Sequence, residues 1–457
     1  MNGRELLINV LQRKPVPRVP WVPFAGVHAG SLTGADAIEM LTDERKILEA
    51  LQEVKRLYMP DGLPVLFDLQ LEAEILGCEL KWSKDTPPSV RTHPLMEKLA
   101  IPTRRICAGD GRLGLALRVM RQLKAGIGQD TALFGLICGP FTLASHLRGN
   151  DLFMDMYDEP EQVEALLHYC ADCAQDVASF YLEAGCDVIA LVDPLVSQIS
   201  AQHFSDFLAE PYTRLFDFIR DQKALSAFFV CGDATRNITG MCETWPHAIF
   251  VDENVDLTAA KRVADGYGIA MGGNLPLTTV MLHGTQQDNM KAALDLLDSM
   301  DDKTGLILAP GCDMPYAVPP ENTIGAAQAV LEPEKVRMIL KNYVAQTDDT
   351  QVILPDYQTL QKPLLEVFSL DSESCAACTY MMAAASAAVR RFQGAIDLVE
   401  YKYTLRENIA RCRQMGVSKL PSLYINGKLA SSSLIPSAEK LDKFILQAQL
   451  DIEARSL

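Results

Sequence analysis

The chain has no long apolar run. No stretch reaches the roughly 18–20 residues that a membrane-crossing helix requires, so a membrane span is not expected. It also lacks an excess of basic charge. With 42 Lys and Arg against 59 Asp and Glu, the formal charge is −17. That balance argues against nucleic acid or an anionic membrane as the main partner. The start, Met1-Asn2-Gly3-Arg4-Glu5-Leu6-Leu7, carries an early acid and an amphipathic pattern, and does not read as a secretory signal. Internal repeats and low-complexity tracts are absent. Without a secretory signal, the twelve cysteines are expected to be reduced thiols, ligands or catalysts rather than a disulfide framework. The expected setting is the cytoplasm.

What is present is apolar material for a large core, 48% of 457 residues, more than one ordinary domain uses. Residues 1–345 alternate short apolar or β-branched runs with longer amphipathic stretches. The strand candidates are 19–24, 63–67, 132–137, 187–192, 227–231, 248–251, 268–272 and 305–309. Eight strand-then-helix units suggest a closed α/β (β/α)₈ TIM barrel, with an open doubly wound sheet as the alternative. The long connection 70–131 holds a small hairpin around Cys78–Trp82 and is expected to cap one end. A polar stretch with Pro355 places a linker at 346–362, and 363–457 forms a second α/β domain.

A barrel of this kind works at the C-terminal ends of its strands. Here those ends carry Asp68, Cys138, Asp193, Cys231-Gly232-Asp233, Asp252-Glu253, Asn274 and Gly311-Cys312-Asp313. Thiols and acids thus converge on one mouth. A single cysteine is more often a small buried hydrophobe, but Cys231 and Cys312, both beside glycine at strand ends, read as functional. Cys170-x-x-Cys173 falls within a helical stretch and reads as packing; His203, His247 and His283 stand isolated.

Residues 1–345 resemble the uroporphyrinogen decarboxylase superfamily, and within it the corrinoid-dependent methyltransferases of the methylcobalamin:coenzyme M type. The similar segments are Phe67-Asp68-Leu69-Gln70-Leu71-Glu72-Ala73-Glu74, Gly139-Pro140-Phe141-Thr142, Glu183-Ala184-Gly185-Cys186-Asp187, Asp193-Pro194, Cys231-Gly232-Asp233, Val251-Asp252-Glu253-Asn254, Gly273-Asn274-Leu275-Pro276 and Pro310-Gly311-Cys312. The resemblance implies methyl transfer from a methylcobalamin (corrinoid) carried by a partner protein to a thiol or pterin acceptor. It also implies a zinc ion held by a His-x-Cys pair and a later cysteine. Cys231 and Cys312 match the two thiolates, but the histidine position holds Phe229. Three outcomes follow. Asp193, Asp233 or Glu253 completes a zinc site, a metal-free arrangement activates another acceptor such as tetrahydrofolate, or the domain only binds. Asp68 matches a functional aspartate of the decarboxylases, and Asn274 is expected to meet substrate. A decarboxylase acting on polyanionic uroporphyrinogen is a third reading, opposed by the lack of arginine in Pro20–Gly30.

The second domain contains Cys375-Ala376-Ala377-Cys378, then strand and helix patterns, then Pro421 opening a strand and an Asn426-Gly427 hairpin turn. It resembles a thioredoxin-like domain. In that resemblance Cys375 sits at a helix N-terminus, where unpaired amide N–H groups and the helix dipole favour the thiolate. Cys378 is then the resolving thiol and Pro421 the cis-proline beside them. The module is expected to protect the barrel thiols, to reduce a disulfide of a substrate or corrinoid partner, or to dock. A non-catalytic or redox accessory protein is the competing reading from outside enzymology.

Overall fold

The computed structural model describes residues 1–345, 350–372 and 375–456. The chain divides into two compact units, Met1–Ala345 and Gln346–Leu457. Residues 346–349 of the expected linker lie outside the described residues.

In the first unit, seven parallel strands form one sheet: β1 (Gly62–Pro64), β4 (Ala132–Cys138), β5 (Val188–Val192), β6 (Leu225–Val230), β7 (Ala248–Val251), β8 (Ala270–Leu275) and β9 (Leu306–Pro310), adjacent in that order. Two further strands, β2 (Leu80–Lys81) and β3 (Ser89–Val90), make the small antiparallel hairpin expected near Cys78. Every residue of β4 to β9 is buried, because helices cover the outer face and side chains fill the inner one.

The expected first strand, 19–24, differs. Only Trp21 pairs, in a single parallel bridge to Leu308 of β9, while its carbonyl accepts from the N–H of Asp61 beside β1. Pro20 and Pro23 flank it and donate no hydrogen bond, so a longer ladder is unavailable. The extended chain at Trp21 nonetheless links both edge strands and fills the eighth position of the TIM barrel.

The barrel interior is aromatic and small by turns. Phe24, Phe67, Phe134, Phe229 and Phe250 pack with Ala190, Ala227, Ala248, Ala270 and Ala309. Phe229 lies with its ring centre 4.7 Å from that of Phe24 and 5.7 Å from that of Phe250. Cys231 and Cys312 pack on this cluster. Strand residues two apart share a face, so Phe229 sits in the core one layer below Cys231.

The second unit has a four-stranded sheet ordered β11-β10-β12-β13, from β10 (Leu364–Ser369), β11 (Asp397–Lys402), β12 (Ser422–Ile425) and β13 (Lys428–Ser432). β10 runs parallel to β11 and antiparallel to β12. Leu365, Val367, Met381, Ala385, Leu423, Leu441 and Ile445 form its core, so helices Ala376–Arg391 and Ala438–Ser456 pack against the sheet. Asn426 and Gly427 both take positive φ, 49° and 74°, as a tight hairpin turn between β12 and β13 requires. No helix among the described residues is long and apolar enough to cross a membrane.

Candidate functional site

β6 and β9 deliver Cys231 and Cys312 to the same point. Their Cα atoms are 6.0 Å apart and their sulfurs form a disulfide. Both residues are partly exposed. The next carboxylates come from the ends of β7 and β9. Asp252 is buried and accepts from the Gly232 N–H and from the Asn254 N–H at 2.8 Å. Glu253 accepts from the Leu277 N–H at 3.1 Å, and its other oxygen lies so close to Gly311 that any Cβ there would collide with it. Burial and the neighbouring Asp252 both push the Glu253 carboxyl up. Asp313 accepts from the Gly26 N–H at 2.7 Å, and burial pushes it up to about 8. Gly26, like Gly311, has no room for a Cβ beside its carboxylate. The mouth therefore carries a disulfide flanked by acids, of which Glu253 and Asp313 are raised furthest by burial.

Other expected site residues are tied into the barrel by hydrogen bonds. Asp193 was expected to be catalytic. It is fully buried and accepts from the Phe141 N–H (2.9 Å), the Thr142 N–H (3.0 Å), the Thr142 hydroxyl (2.6 Å) and the Tyr212 hydroxyl. It thus anchors the start of helix Pro140–Arg148, whose first N–H groups lack helical partners. Asn274 was expected to meet substrate. Its amide N–H groups donate to the carbonyls of Asp252 and Val255, both at 2.8 Å, and pin the turn after β7. Asp68 is buried, pairs with Arg112 and accepts from the Gln70 N–H at 3.0 Å. Arg112 also holds Glu74 at 2.7 Å and covers the Trp82 ring at 4.9 Å, so Asp68 ties the long β1–β4 excursion to the barrel. Asp233 is buried and accepts from the Thr235 hydroxyl at 2.6 Å.

Two groups escaped sequence reasoning, Glu72 and His28, and a third was seen without its character. Glu72 is buried behind Asp68, accepts from the Cys138 N–H at 3.2 Å, and is pushed by burial up to about 7. His28 is buried between the Tyr58 hydroxyl (2.7 Å) and the Tyr316 carbonyl (3.2 Å), and burial lowers it to about 4. Asp313 was visible as the residue after Cys312, but nothing in the local string separates it from a surface acid. Cys170 and Cys173 are buried helix residues, as packing requires.

The residues present do not fit zinc. A structural or catalytic zinc site needs at least three protein donors. Phe229 contributes a hydrocarbon ring to the core, and the two sulfurs are bonded to each other. Among the described residues no cluster of three or more His, Cys, Asp or Glu could hold a metal ion. The expected zinc therefore enters no step below.

In the second unit, Cys375 is the N-cap of helix Ala376–Arg391, and its sulfur accepts from the Cys378 N–H at 3.4 Å. Cys378 is buried, which pushes its thiol well above the ordinary value, and it accepts from the Leu370 N–H at 3.3 Å. The Leu420–Pro421 bond is cis.

Comparison with known proteins divides the chain in the same way. The family profile for uroporphyrinogen decarboxylase (URO-D) matches residues 2–332, and a thioredoxin domain profile matches 365–446. A methylcobamide:CoM methyltransferase, MtbA, from Methanosarcina acetivorans is 30% identical over 332 residues, 70% of this chain and 94% of that protein. A uroporphyrinogen decarboxylase from Koribacter versatilis is 22% identical over 340 residues, 72% of this chain and 95% of that protein. A solved methyltransferase structure from Methanosarcina mazei superposes with a TM-score of 0.67 at 23% identity, covering 73% of this chain and 99% of that one, which supports the fold. The chain belongs to the uroporphyrinogen decarboxylase family and carries a thioredoxin-like domain after its barrel.

Proposed function

We propose that the barrel transfers a methyl group from a methylated corrinoid, carried by a partner protein, to a thiol acceptor. The observation that carries this is the relationship to MtbA, 30% identical over nearly the whole of that protein, against 22% for the decarboxylase. A cytoplasmic setting, which keeps small thiols reduced, suits the acceptor.

The chain's own groups supply a proton acceptor. A free thiol ionises near ~8.5. Asp313, raised to about 8, is closely matched to it. In this reading the acceptor sulfur gives its proton to the Asp313 carboxylate and attacks the methyl carbon. The S–C bond forms as the Co–C bond breaks, and the electron pair stays on cobalt as Co(I). Glu253, which is also raised, faces the same mouth.

The test is anaerobic incubation of the reduced protein with methylcobalamin and either 2-mercaptoethanesulfonate or tetrahydrofolate, following the cobalamin spectrum and the methylated product. Methylation of the thiol, with a rate that rises through about pH 8 as Asp313 deprotonates, is expected. Asp313→Asn should lower the rate by ~10²–10⁴-fold, the usual contribution of a positioned base. Methylation of the pterin alone would replace the acceptor. Turnover of neither would leave the binding or accessory role.

A further inference from the structure

The twelve cysteines sort into two kinds. Most are packing residues. Cys78, Cys138, Cys170, Cys173, Cys186, Cys242 and Cys412 are buried, and burial raises their thiols; Cys78, Cys242 and Cys412 reach about 12. Thiols held protonated in this way are poor attacking nucleophiles. Cys378 is raised by the same burial, but its N–H donates to the N-cap sulfur of Cys375 one turn before it, so it is placed to resolve rather than to attack. Cys107 is exposed and alone in its stretch. Four sulfurs remain, in two pairs. Cys231 and Cys312 meet at the barrel mouth with Cα atoms 6.0 Å apart, inside the range a disulfide spans without moving the backbone. Cys375 and Cys378 stand as thiols at a helix start, one partly exposed and one buried.

We propose that Cys231 and Cys312 form a thiol–disulfide redox centre rather than a metal site, and that the Cys375/Cys378 dithiol of the same polypeptide is its reductant. Three independent features converge on this. Phe229 removes the third donor that would hold a metal between the sulfurs. Cys231 and Cys312 are partly exposed, so an attacking thiolate can reach them. The chain itself contains a dithiol in the attacking-and-resolving arrangement, its N-cap sulfur at the helix's positive end.

The exchange balances. The Cys375 thiolate attacks one sulfur of the barrel disulfide. The Cys231–Cys312 bond breaks, a mixed disulfide forms, and the departing thiolate takes up a proton. Cys378, losing its proton, then attacks the Cys375 sulfur. The Cys375–Cys378 bond forms and the second barrel thiol leaves with a proton. Two electrons and two protons pass to the barrel, and an external dithiol resets the module. The exchange requires only a transient encounter, within one chain or between two chains. The product is a pair of thiols at the mouth where the oxidised form has none.

The full-length protein tests this without reference to methyl transfer. Cys378→Ser leaves Cys375 able to attack but unable to resolve. After brief reduction with limiting dithiothreitol and acid quenching, non-reducing peptide mapping should recover Cys375 joined to Cys231 or Cys312. The link should be absent in Cys375→Ser and in the Cys231→Ser, Cys378→Ser double variant. In the Cys375→Ser, Cys378→Ser double variant, reduction of the barrel disulfide by dithiothreitol should slow at least tenfold. Two results overturn the proposal. One is a barrel disulfide that reduces equally fast in that variant, with no mixed species in Cys378→Ser. The other is about one zinc per reduced wild-type chain that is lost in Cys231→Ser, Cys312→Ser. Failure of the methyl-transfer assay would move none of these readouts.

Discussion

Asp193 separates a residue that reacts from one that holds the reacting site in shape. Its two oxygens accept from two backbone N–H groups and two hydroxyls, all buried. Asp193→Asn keeps the shape and removes one acceptor. If the new amide nitrogen replaces the oxygen facing Phe141, that N–H loses its partner. If it replaces the other, the Thr142 N–H loses its partner. The two hydroxyls can rotate to accept, but a backbone N–H cannot. One orphaned buried donor costs ~1–3 kcal/mol, and the remaining bonds lose the strength that a charged acceptor lends them, together on the order of 2–4 kcal/mol. Urea unfolding followed by circular dichroism, with methyl transfer measured on the folded fraction, checks this. The expected outcome is a lowered midpoint with activity per folded molecule within about threefold of wild type. Tyr212→Phe is a milder companion. It removes one hydroxyl and keeps the ring stacked 4.2 Å from Phe228, so about 1 kcal/mol should go with activity intact. An Asp193→Asn protein as stable as wild type but a hundredfold slower would refute the anchoring role and return Asp193 to the chemistry.

Two further outcomes follow from buried groups. His28 folds as a neutral ring with its value lowered to about 4, against roughly 6.5 when unfolded. The unfolded chain therefore takes up a proton first as pH falls from 6.5 to 4, and stability drops by up to ~3 kcal/mol across that window. His28→Gln should flatten this part of the pH–stability curve, and an unchanged slope would remove His28 as its source. Phe229→His restores the His-x-Cys spacing on one face of β6. It should cost ~1–3 kcal/mol when metal-free and reduced, because the imidazole nitrogens are buried without partners in an apolar core. It should also acquire about one zinc per chain, with a matching gain in stability. A variant that unfolds at the expected cost yet takes up no zinc would show that the cysteines cannot close around a metal even with a third donor.

The repeated strand-then-helix pattern carried the architecture, because parallel strands covered on both faces must be continuous apolar runs. It failed where backbone chemistry intervened. Residues 19–24 look like a strand by composition, yet Pro20 and Pro23 limit pairing to Trp21. In the second unit the Cys-x-x-Cys motif and the Asn-Gly turn were legible because each depends on a few adjacent residues. A helix start and a tight turn are local structures.

The site was legible only in its outline. Strand ends tell which side chains arrive at the mouth, and that was enough to bring Cys231 and Cys312 together across 81 residues of sequence. They do not tell which acids remain available once they arrive. A barrel mouth is built from helix starts and turns, and each presents backbone N–H groups that need acceptors. Asp193 is occupied by one helix start, Asp252 by the Gly232 and Asn254 N–H groups, and Asn274 by two turn carbonyls. Apart from Asn254, two residues on from Asp252, none of these partners is near its acid or amide in the sequence. Asp313 differs in the balance of its contacts, since burial outweighs the hydrogen bonds it receives and leaves it protonated near neutral pH. Phe229 was the reverse case, a single letter that mattered more than the acids around it. It puts a hydrocarbon ring in the core where the pattern calls for a third donor, beside two sulfurs that meet across the barrel mouth.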